Sequence, residues 1–120
     1  MALYDDLGGA PAIDAALARF YERVMADGQL SPFFVTTNFD FLRIRVGMFF
    51  ASVAGGPPGY DGPSLRDVHR RFLDRGLDDE VFDRFVGLFE EVLNELAVPD
   101  GPRDQVVGYL RGQRSEVLNR

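Results

Sequence analysis

Apolar side chains recur every three to four residues along most of this chain, which is the spacing of one face of an α-helix. The longer stripes lie in residues 12–26, 38–54, 78–97 and 106–118. Asn38 or Asp40 is placed to cap the second of these helices and Asp78 the third. Pro99-Asp100-Gly101-Pro102 is expected to break the chain, and an interruption of the last stripe over residues 112–115 predicts a frayed or kinked end. A shorter stripe surrounds residue 69, and a helical turn precedes Gly8-Gly9. No segment alternates apolar and polar residues for long enough to indicate a strand. The pattern predicts an all-α fold with four substantial helices, one short helix and an N-terminal turn.

The helix predicted over residues 38–54 differs from the others because it is apolar over most of its circumference. Phe41, Ile44 and Met48 form a second face beside the face made by Leu42, Val46, Phe49, Phe50 and Val53. Such a helix is expected to be buried on two sides, or to pack on a core and a ligand together. Four Gly and three Pro within residues 55–63 then predict a loop.

The composition excludes several classes of function. A length of 120 residues indicates one domain spanning 1–120. The net charge of −6 argues against nucleic acid or an anionic membrane as a partner. The absence of cysteine excludes disulfides, iron–sulfur clusters and thiol catalysis. Without a signal peptide or an apolar run of membrane-spanning length, we expect a cytoplasmic protein that is monomeric.

His69 is the single histidine of the chain. Leu65 lies four residues before it and Phe72 three after, so all three share one helical face. Ser64 and Asp67 resemble a capping box that opens this helix, and Gly76 is placed to end it. A lone histidine on an apolar face is usually a core residue, and the alternative is a metal ligand.

Common catalytic motifs are missing, and a zinc site would have only carboxylates to add to His69. Haem needs one protein histidine, since the porphyrin supplies four nitrogens. It also needs aromatic walls and a polar group opposite the histidine, for which Tyr21 is a candidate. The 11 Phe of the chain are compatible with such walls or with a plain aromatic core.

Several short motifs together resemble one family, the group I truncated haemoglobins, which are short globins with a two-over-two helical sandwich around haem. They are Leu3-Tyr4-Asp5-Asp6-Leu7-Gly8-Gly9, Phe20-Tyr21-x-Arg23-Val24-Met25-Ala26-Asp27, the pair Phe33-Phe34, the run Gly55-Gly56-x-x-x-Tyr60-x-Gly62-x-x-Leu65-x-x-x-His69, and Gly76-Leu77 with Phe82. The motifs extend nearly end to end. The absence of Trp disfavours the second group of these globins.

The resemblance implies that His69 is the proximal iron ligand and Tyr21 the distal hydrogen-bond donor. It also implies that Phe33 and Phe34 pack on the porphyrin and that Leu42, Arg45 and Val46 occupy the other distal positions. Further residues that would form haem walls, any one of which is also compatible with plain core, are Phe49, Leu65, Val68, Phe72, Phe82 and Val86. Many family members carry glutamine at one or both of the positions of Leu42 and Val46. Arg45 is open to three roles: over the iron, on a haem propionate, or solvated.

The family also implies a function: reversible binding of O2, NO or CO at the iron of haem b. The alternative is a nitric oxide dioxygenase that makes nitrate with a reductase partner. A third hypothesis, a haem-free interaction module, is disfavoured by the retention of His69, Tyr21 and Phe34. Some relatives bond haem covalently to a histidine near the position of Gln113, and since no histidine lies there we expect non-covalent haem.

Overall fold

The computed structural model describes residues 3–35, 37–53 and 65–120, and within them every side chain except those of residues 3, 4, 49, 50, 52 and 53. The α-helices are α1 (Leu3–Asp6), α2 (Gly9–Ala26), α3 (Phe39–Val53), α4 (Leu65–His69), α5 (Asp79–Glu95), α6 (Asp100–Gly112) and α7 (Arg114–Val117). Two 3₁₀ helices span Ser31–Phe34 and Arg70–Arg75. None of these described residues forms a strand, so the predicted all-α class is confirmed.

The core lies where α2 crosses α5 and α5 packs on α6. Leu17, Val24, Val92 and Val106 are almost completely buried there. Phe20 meets the rings of two phenylalanines edge to face, with centroid distances of 4.8 Å to Phe85 and 4.9 Å to Phe89. This edge-to-face geometry is favourable for aromatic pairs beyond the area they bury. The apolar stripes of α2 and α5 therefore meet as their periodicity predicts.

The start of α2 lies three residues before the predicted position. Gly8 precedes the helix with φ of 101°, in the left-handed region, and a Cβ at this position would lie 2.8 Å from the Cβ of Ala12. Glycine is thus required on both conformational and steric grounds. Pro11 falls in the first turn of α2, where the missing N–H group has no partner within the helix in any case.

The outward face of α3 is exposed, so the prediction that this helix is buried on two sides is wrong. Asn38 caps the helix as expected, since its Oδ1 accepts from the N–H of Phe41 at 3.1 Å. Phe41, Ile44 and Met48 are nevertheless 58%, 61% and 46% exposed. The helix packs closely on α2, which covers one side and leaves this face toward solvent.

The segment around His69 is less regular than the predicted helix. The α-helical geometry ends at His69, and a 3₁₀ helix continues to Arg75. Gly76, with φ of 100°, closes the segment as predicted. Ser64 and the expected loop over residues 55–63 lie outside the described residues.

The helix α5 begins where predicted, whereas α6 begins earlier than predicted. Asp78 caps α5, because its Oδ1 accepts from the N–H of Val81 at 3.0 Å. The helix α6 begins at Asp100, within the Pro-Gly segment expected to interrupt the chain, and Pro99 precedes it. The predicted kink between residues 112 and 115 is the break between α6 and α7 at Gln113. Among the described helices, none has the length and apolar character needed to cross a membrane.

Candidate functional site

The imidazole of His69 is held in one orientation by its own helix. Its Nδ1 lies 2.7 Å from the carbonyl oxygen of Leu65, one turn earlier. A carbonyl oxygen only accepts hydrogen bonds, so Nδ1 carries the proton and donates. The other ring nitrogen, Nε2, is then the unprotonated one. This is the tautomer in which a histidine ligates a metal through Nε2.

Burial acts on the protonation of the same ring. It lowers the pKa of His69 below the ordinary value of 6.5, and the hydrogen bond to Leu65 offsets part of that effect. The imidazole is therefore neutral at neutral pH. A neutral ring is the form that coordinates iron.

Phe72 continues the His69 face into the second 3₁₀ helix. Its ring centroid lies 6.0 Å from that of Phe33, on the first 3₁₀ helix. The guanidinium carbons of Arg71 and Arg75 lie 4.7 Å and 5.8 Å from the centre of the Phe72 ring. The two arginines thus cover an aromatic side chain next to the histidine, which is a favourable cation–π arrangement.

Tyr21 lies in the middle of α2 and is 7% exposed. Its ring centroid is 5.0 Å from Phe20, 6.0 Å from Phe34 and 5.7 Å from Phe39. Burial among these rings raises the pKa of Tyr21 well above its ordinary value of 10, so the hydroxyl group keeps its proton and remains a donor. No described residue forms a hydrogen bond with this hydroxyl. The hydroxyl oxygen is not among the buried unpaired polar atoms of the described residues, so it keeps accessible surface and is open to a ligand.

The predicted site residues of α3 lie on the helix that packs on α2, which carries Tyr21. Leu42 and Val46 are half-buried and pack against the core, as Phe34 and Phe39 do. Neither Leu42 nor Val46 has a polar side-chain atom. The guanidinium of Arg45 lies 5.5 Å from the centre of the Phe41 ring, at the edge of the exposed face. The side chain of Phe49 is outside the described part of the structure.

Phe33 and Phe34 connect the tyrosine side of the site to the histidine side. Phe34 contacts the ring of Tyr21, while the adjacent Phe33 contacts Phe72, three residues after His69. One short 3₁₀ helix therefore touches both groups of predicted site residues. The 3₁₀ helix Ser31–Phe34 thus links the ring of Tyr21 to that of Phe72, which follows His69 in the chain.

The remaining predicted positions divide between this region and the core. Leu65 and Val68 are half-buried on the same short helix as His69. Phe82 and Val86 are buried in the core, and the guanidinium of Arg114 lies 4.8 Å from the ring of Phe82.

Phe39 lies beside Tyr21, although it was not among the predicted site residues. Its ring lies 5.7 Å from that of Tyr21 and 6.0 Å from that of Phe34. A signal was present, because Phe39 lies three residues before Leu42 and therefore on the same face of α3.

The helical fold and the histidine–tyrosine pair define a small globin, and comparison with known proteins supports this class. A model of the family described as bacterial-like globin matches residues 2–119. The group 1 truncated hemoglobin GlbN of Synechocystis is 34% identical over 120 residues, covering 98% of this chain and 97% of that protein. The GlbN of Mycolicibacterium paratuberculosis is 33% identical over 115 residues, covering 96% of this chain and 82% of that protein.

Solved structures extend the likeness to the whole fold. The 2/2 hemoglobin of Synechococcus sp. PCC 7002, crystallised in the cyanomet state with covalently attached heme, superposes with a TM-score of 0.96 at 34% identity, covering both chains completely. The truncated hemoglobin of Tetrahymena pyriformis gives a TM-score of 0.89 at 28% identity, covering 98% of each chain. The chain belongs to the bacterial-like globin family, and the predicted truncated-globin fold is confirmed.

The residues of this chain fit the haem that a globin binds. His69 offers an unprotonated Nε2 from a half-buried ring, and Tyr21 offers a donor on a buried ring without a described partner. Phe34 and Phe39 beside Tyr21 are aromatic, as is the Phe33–Phe72 pair near His69, and a porphyrin requires such apolar walls. Within the described ranges, no three His, Cys, Asp or Glu side chains come together as a site for a bare metal ion. The protein is accordingly a haem-binding globin.

Proposed function

We propose that this protein binds a diatomic gas reversibly, with dioxygen as its main ligand. His69 would ligate the haem iron through Nε2, and Tyr21 would donate a hydrogen bond to the gas from the opposite side. When bound, the haem supplies the iron atom that takes the gas as its ligand. The observation that carries the proposal is the hydroxyl group on the buried ring of Tyr21, which keeps its proton and has no hydrogen-bond partner among the described residues.

The α3 side of the pocket determines how strongly the gas is held. Leu42 and Val46 have no donor atoms, so Tyr21 is the neutral donor among the predicted site residues of α2 and α3. Crystal structures of the Tetrahymena pyriformis hemoglobin include variants in which one tyrosine or one of two glutamines is replaced. That tyrosine and those two glutamines have the same separations along their chain as Tyr21, Leu42 and Val46 have here. We infer that aliphatic side chains stand here where that protein has glutamines. The gas would therefore be retained less firmly than by a tyrosine together with glutamine.

The absorption spectrum of the purified protein tests the proposal. We expect an intense Soret band that is lost in His69→Ala and retained in Gln105→Ala, which changes an exposed residue of α6. Removal and readmission of oxygen should convert the spectrum reversibly between the oxygen-free ferrous form and the oxygen-bound form. A protein that stays colourless although haem is supplied would refute haem binding. Sustained conversion of NO to nitrate with an added reductase would instead establish the dioxygenase alternative.

We propose that the haem is haem b and is bound without a covalent link. The Synechococcus protein carries covalently attached heme in its crystal structure. This chain has one histidine, and if His69 ligates the iron, no second imidazole is available for such a bond. Cold acidified acetone should extract all of the haem from the protein. Colour that stays with the precipitated polypeptide would contradict this expectation.

A further inference from the structure

The short helix that carries His69 is held in place mainly by the C-terminal end of the chain. With five residues, α4 has little stability of its own. Among the described helices it packs chiefly on α7. Arg66, in its first turn, donates from Nε to Oε2 of Glu116 at 3.2 Å and from Nη2 to the carbonyl oxygen of Arg120 at 3.4 Å. The orientation of α4 therefore depends on α7.

The contact to the backbone of α4 comes from Asn119. Its Nδ2 donates to the carbonyl oxygen of Arg66 at 2.9 Å and lies 3.4 Å from the carbonyl oxygen of Val117. Both neighbours are acceptors, so the amide group of Asn119 must present its nitrogen to them. The hydrogen bond is partly buried and joins residues 53 positions apart.

Asn119 also occupies an unusual backbone conformation. Its φ is 58°, in the left-handed region, where a helix commonly ends on glycine. The N–H of Arg120 donates to the carbonyl oxygen of Ser115 at 3.0 Å, which closes the end of α7. Asparagine tolerates this conformation and, unlike glycine, carries an amide that reaches α4. The side chain thus adds a contact that the turn alone does not need.

The body of the molecule fixes α7 in turn. Val117 and Leu118 are buried in the core. Arg114 donates to Oδ1 of Asp79 at 2.8 Å, and it also pairs with Asp83 at the start of α5. A continuous path of contacts therefore runs from α5 through α7 to α4.

We propose that Asn119 is a positioning residue for His69. It holds the peptide group of Arg66, and the preceding carbonyl, that of Leu65, accepts the Nδ1–H bond that orients the imidazole. A displacement of the Arg66 peptide would therefore turn the ring of His69. The consequence for haem rests on the proposed function, whereas the orientation of His69 in the apoprotein does not.

Two variants separate the amide group from the turn. Asn119→Gly keeps a residue suited to φ of 58° and removes the donor. Asn119→Asp keeps the size and places a carboxylate against two carbonyl oxygens. Ala97→Gly is the matched control, because Ala97 ends α5 with φ of 57° and the same left-handed closure, on a different helix from the one that packs on α4.

The first measurement uses the apoprotein, where His69 gives the single set of imidazole NMR signals. We expect Asn119→Gly to shift the ¹⁵N resonances of the ring away from one pure tautomer. Hydrogen exchange of the α4 amides should rise about fivefold, as expected for loss of one hydrogen bond. Asn119→Asp should give a larger effect and Ala97→Gly none. Ring signals and α4 exchange that match the wild type in both Asn119 variants would overturn the proposal.

The second measurement uses the haem-loaded protein. We expect haem transfer to an apoglobin acceptor to be about fivefold faster in Asn119→Gly, again from the loss of one hydrogen bond. The iron–histidine stretching band of the ferrous form should shift or broaden. An unchanged band and transfer rate would show that Asn119 does not position His69. If the wild type takes up no haem, the proposed function fails while the apoprotein result still decides this inference.

Discussion

The hydroxyl group of Tyr21 stands on a ring that is buried in the middle of α2, among the rings of Phe20, Phe34 and Phe39. The hydroxyl oxygen is not among the buried unpaired polar atoms of the described residues, so it keeps accessible surface. Phenylalanine would fill the same space in the aromatic cluster. A gas ligand that accepts from the hydroxyl group would therefore give the residue a functional reason to be tyrosine.

Tyr21→Phe is therefore expected to weaken ligand retention without lowering stability. The free energy of unfolding of the apoprotein should change little, because the hydroxyl group has no hydrogen-bond partner among the described residues. Oxygen dissociation, measured by stopped flow, should become about ten- to a hundredfold faster, because a hydrogen bond to a charged ligand contributes about 1.5–3 kcal/mol. Tyr109→Phe, which removes a hydroxyl group on α6, is the control and should leave the off-rate unchanged. An off-rate in Tyr21→Phe equal to that of the wild type would contradict the assigned role.

At the scale of the elements, a side chain at the end of α2 joins that helix to α5. Oδ1 of Asp27 accepts from the N–H groups of Gln29 at 2.9 Å and Leu30 at 3.1 Å. Its Oδ2 accepts from Nε of Arg84 at 2.7 Å. Burial by itself would raise the pKa of Asp27, but these hydrogen bonds and the charge of Arg84 outweigh it and hold the pKa below 3.8. The carboxylate thus ends one helix and holds it to the next.

Asp27→Asn should lower stability in a pH-dependent way. At pH 7 we expect a loss of about 1–2 kcal/mol, the contribution of a partly exposed charged hydrogen bond. Because the pKa is lower in the folded state, the wild-type advantage is complete above the unfolded value and disappears as the pH falls through the folded value. Urea unfolding from pH 7 to pH 2.5 measures this.

Asp40→Asn is the control, since its side chain is 89% exposed and its stability should change little at any pH. A difference between Asp27→Asn and the wild type that persists undiminished in strong acid would contradict the role given to the charge.

At the scale of the whole molecule, the last seven residues close the structure. The helix α7 places Val117 and Leu118 in a core made mainly by α2, α5 and α6. It also provides the surface on which α4 packs. The end of the chain therefore connects the core to the histidine that faces the ligand site.

Deletion of residues 114–120 should destabilise the protein by about 3–6 kcal/mol, since burial of one aliphatic side chain contributes about 1.5–3 kcal/mol. The loss of haem should also accelerate, because α4 loses its main packing partner. Thermal unfolding and haem transfer measure the two effects. Gln105→Ala, which changes an exposed residue of α6, is the control and should change both little. A truncated protein as stable as the wild type would show that α7 is dispensable.

Local patterns predicted the helices and their caps, since these depend on residues three or four apart. The stripe of Leu17, Phe20 and Val24 and the cap at Asp78 are found as predicted. Two predictions were wrong for reasons that lie beyond local pattern. The face of Phe41, Ile44 and Met48 is exposed. Burial on two sides was predicted for its helix because the side chains are apolar, but apolar character does not reveal whether another helix covers a face. The geometry after His69 is 3₁₀ although its apolar spacing suits an α-helix.

The sequence by itself determined the helical class, the family and the two polar side chains on which the site depends, His69 and Tyr21. Periodicity and short motifs carry this information because both are local along the chain. The tertiary structure decided which distant groups meet. It placed the amide of Asn119 on the carbonyl of Arg66, and it set Phe33 and Phe34 between the histidine and the tyrosine. Such contacts depend on how packed helices are oriented in space, which no repeat along the chain records.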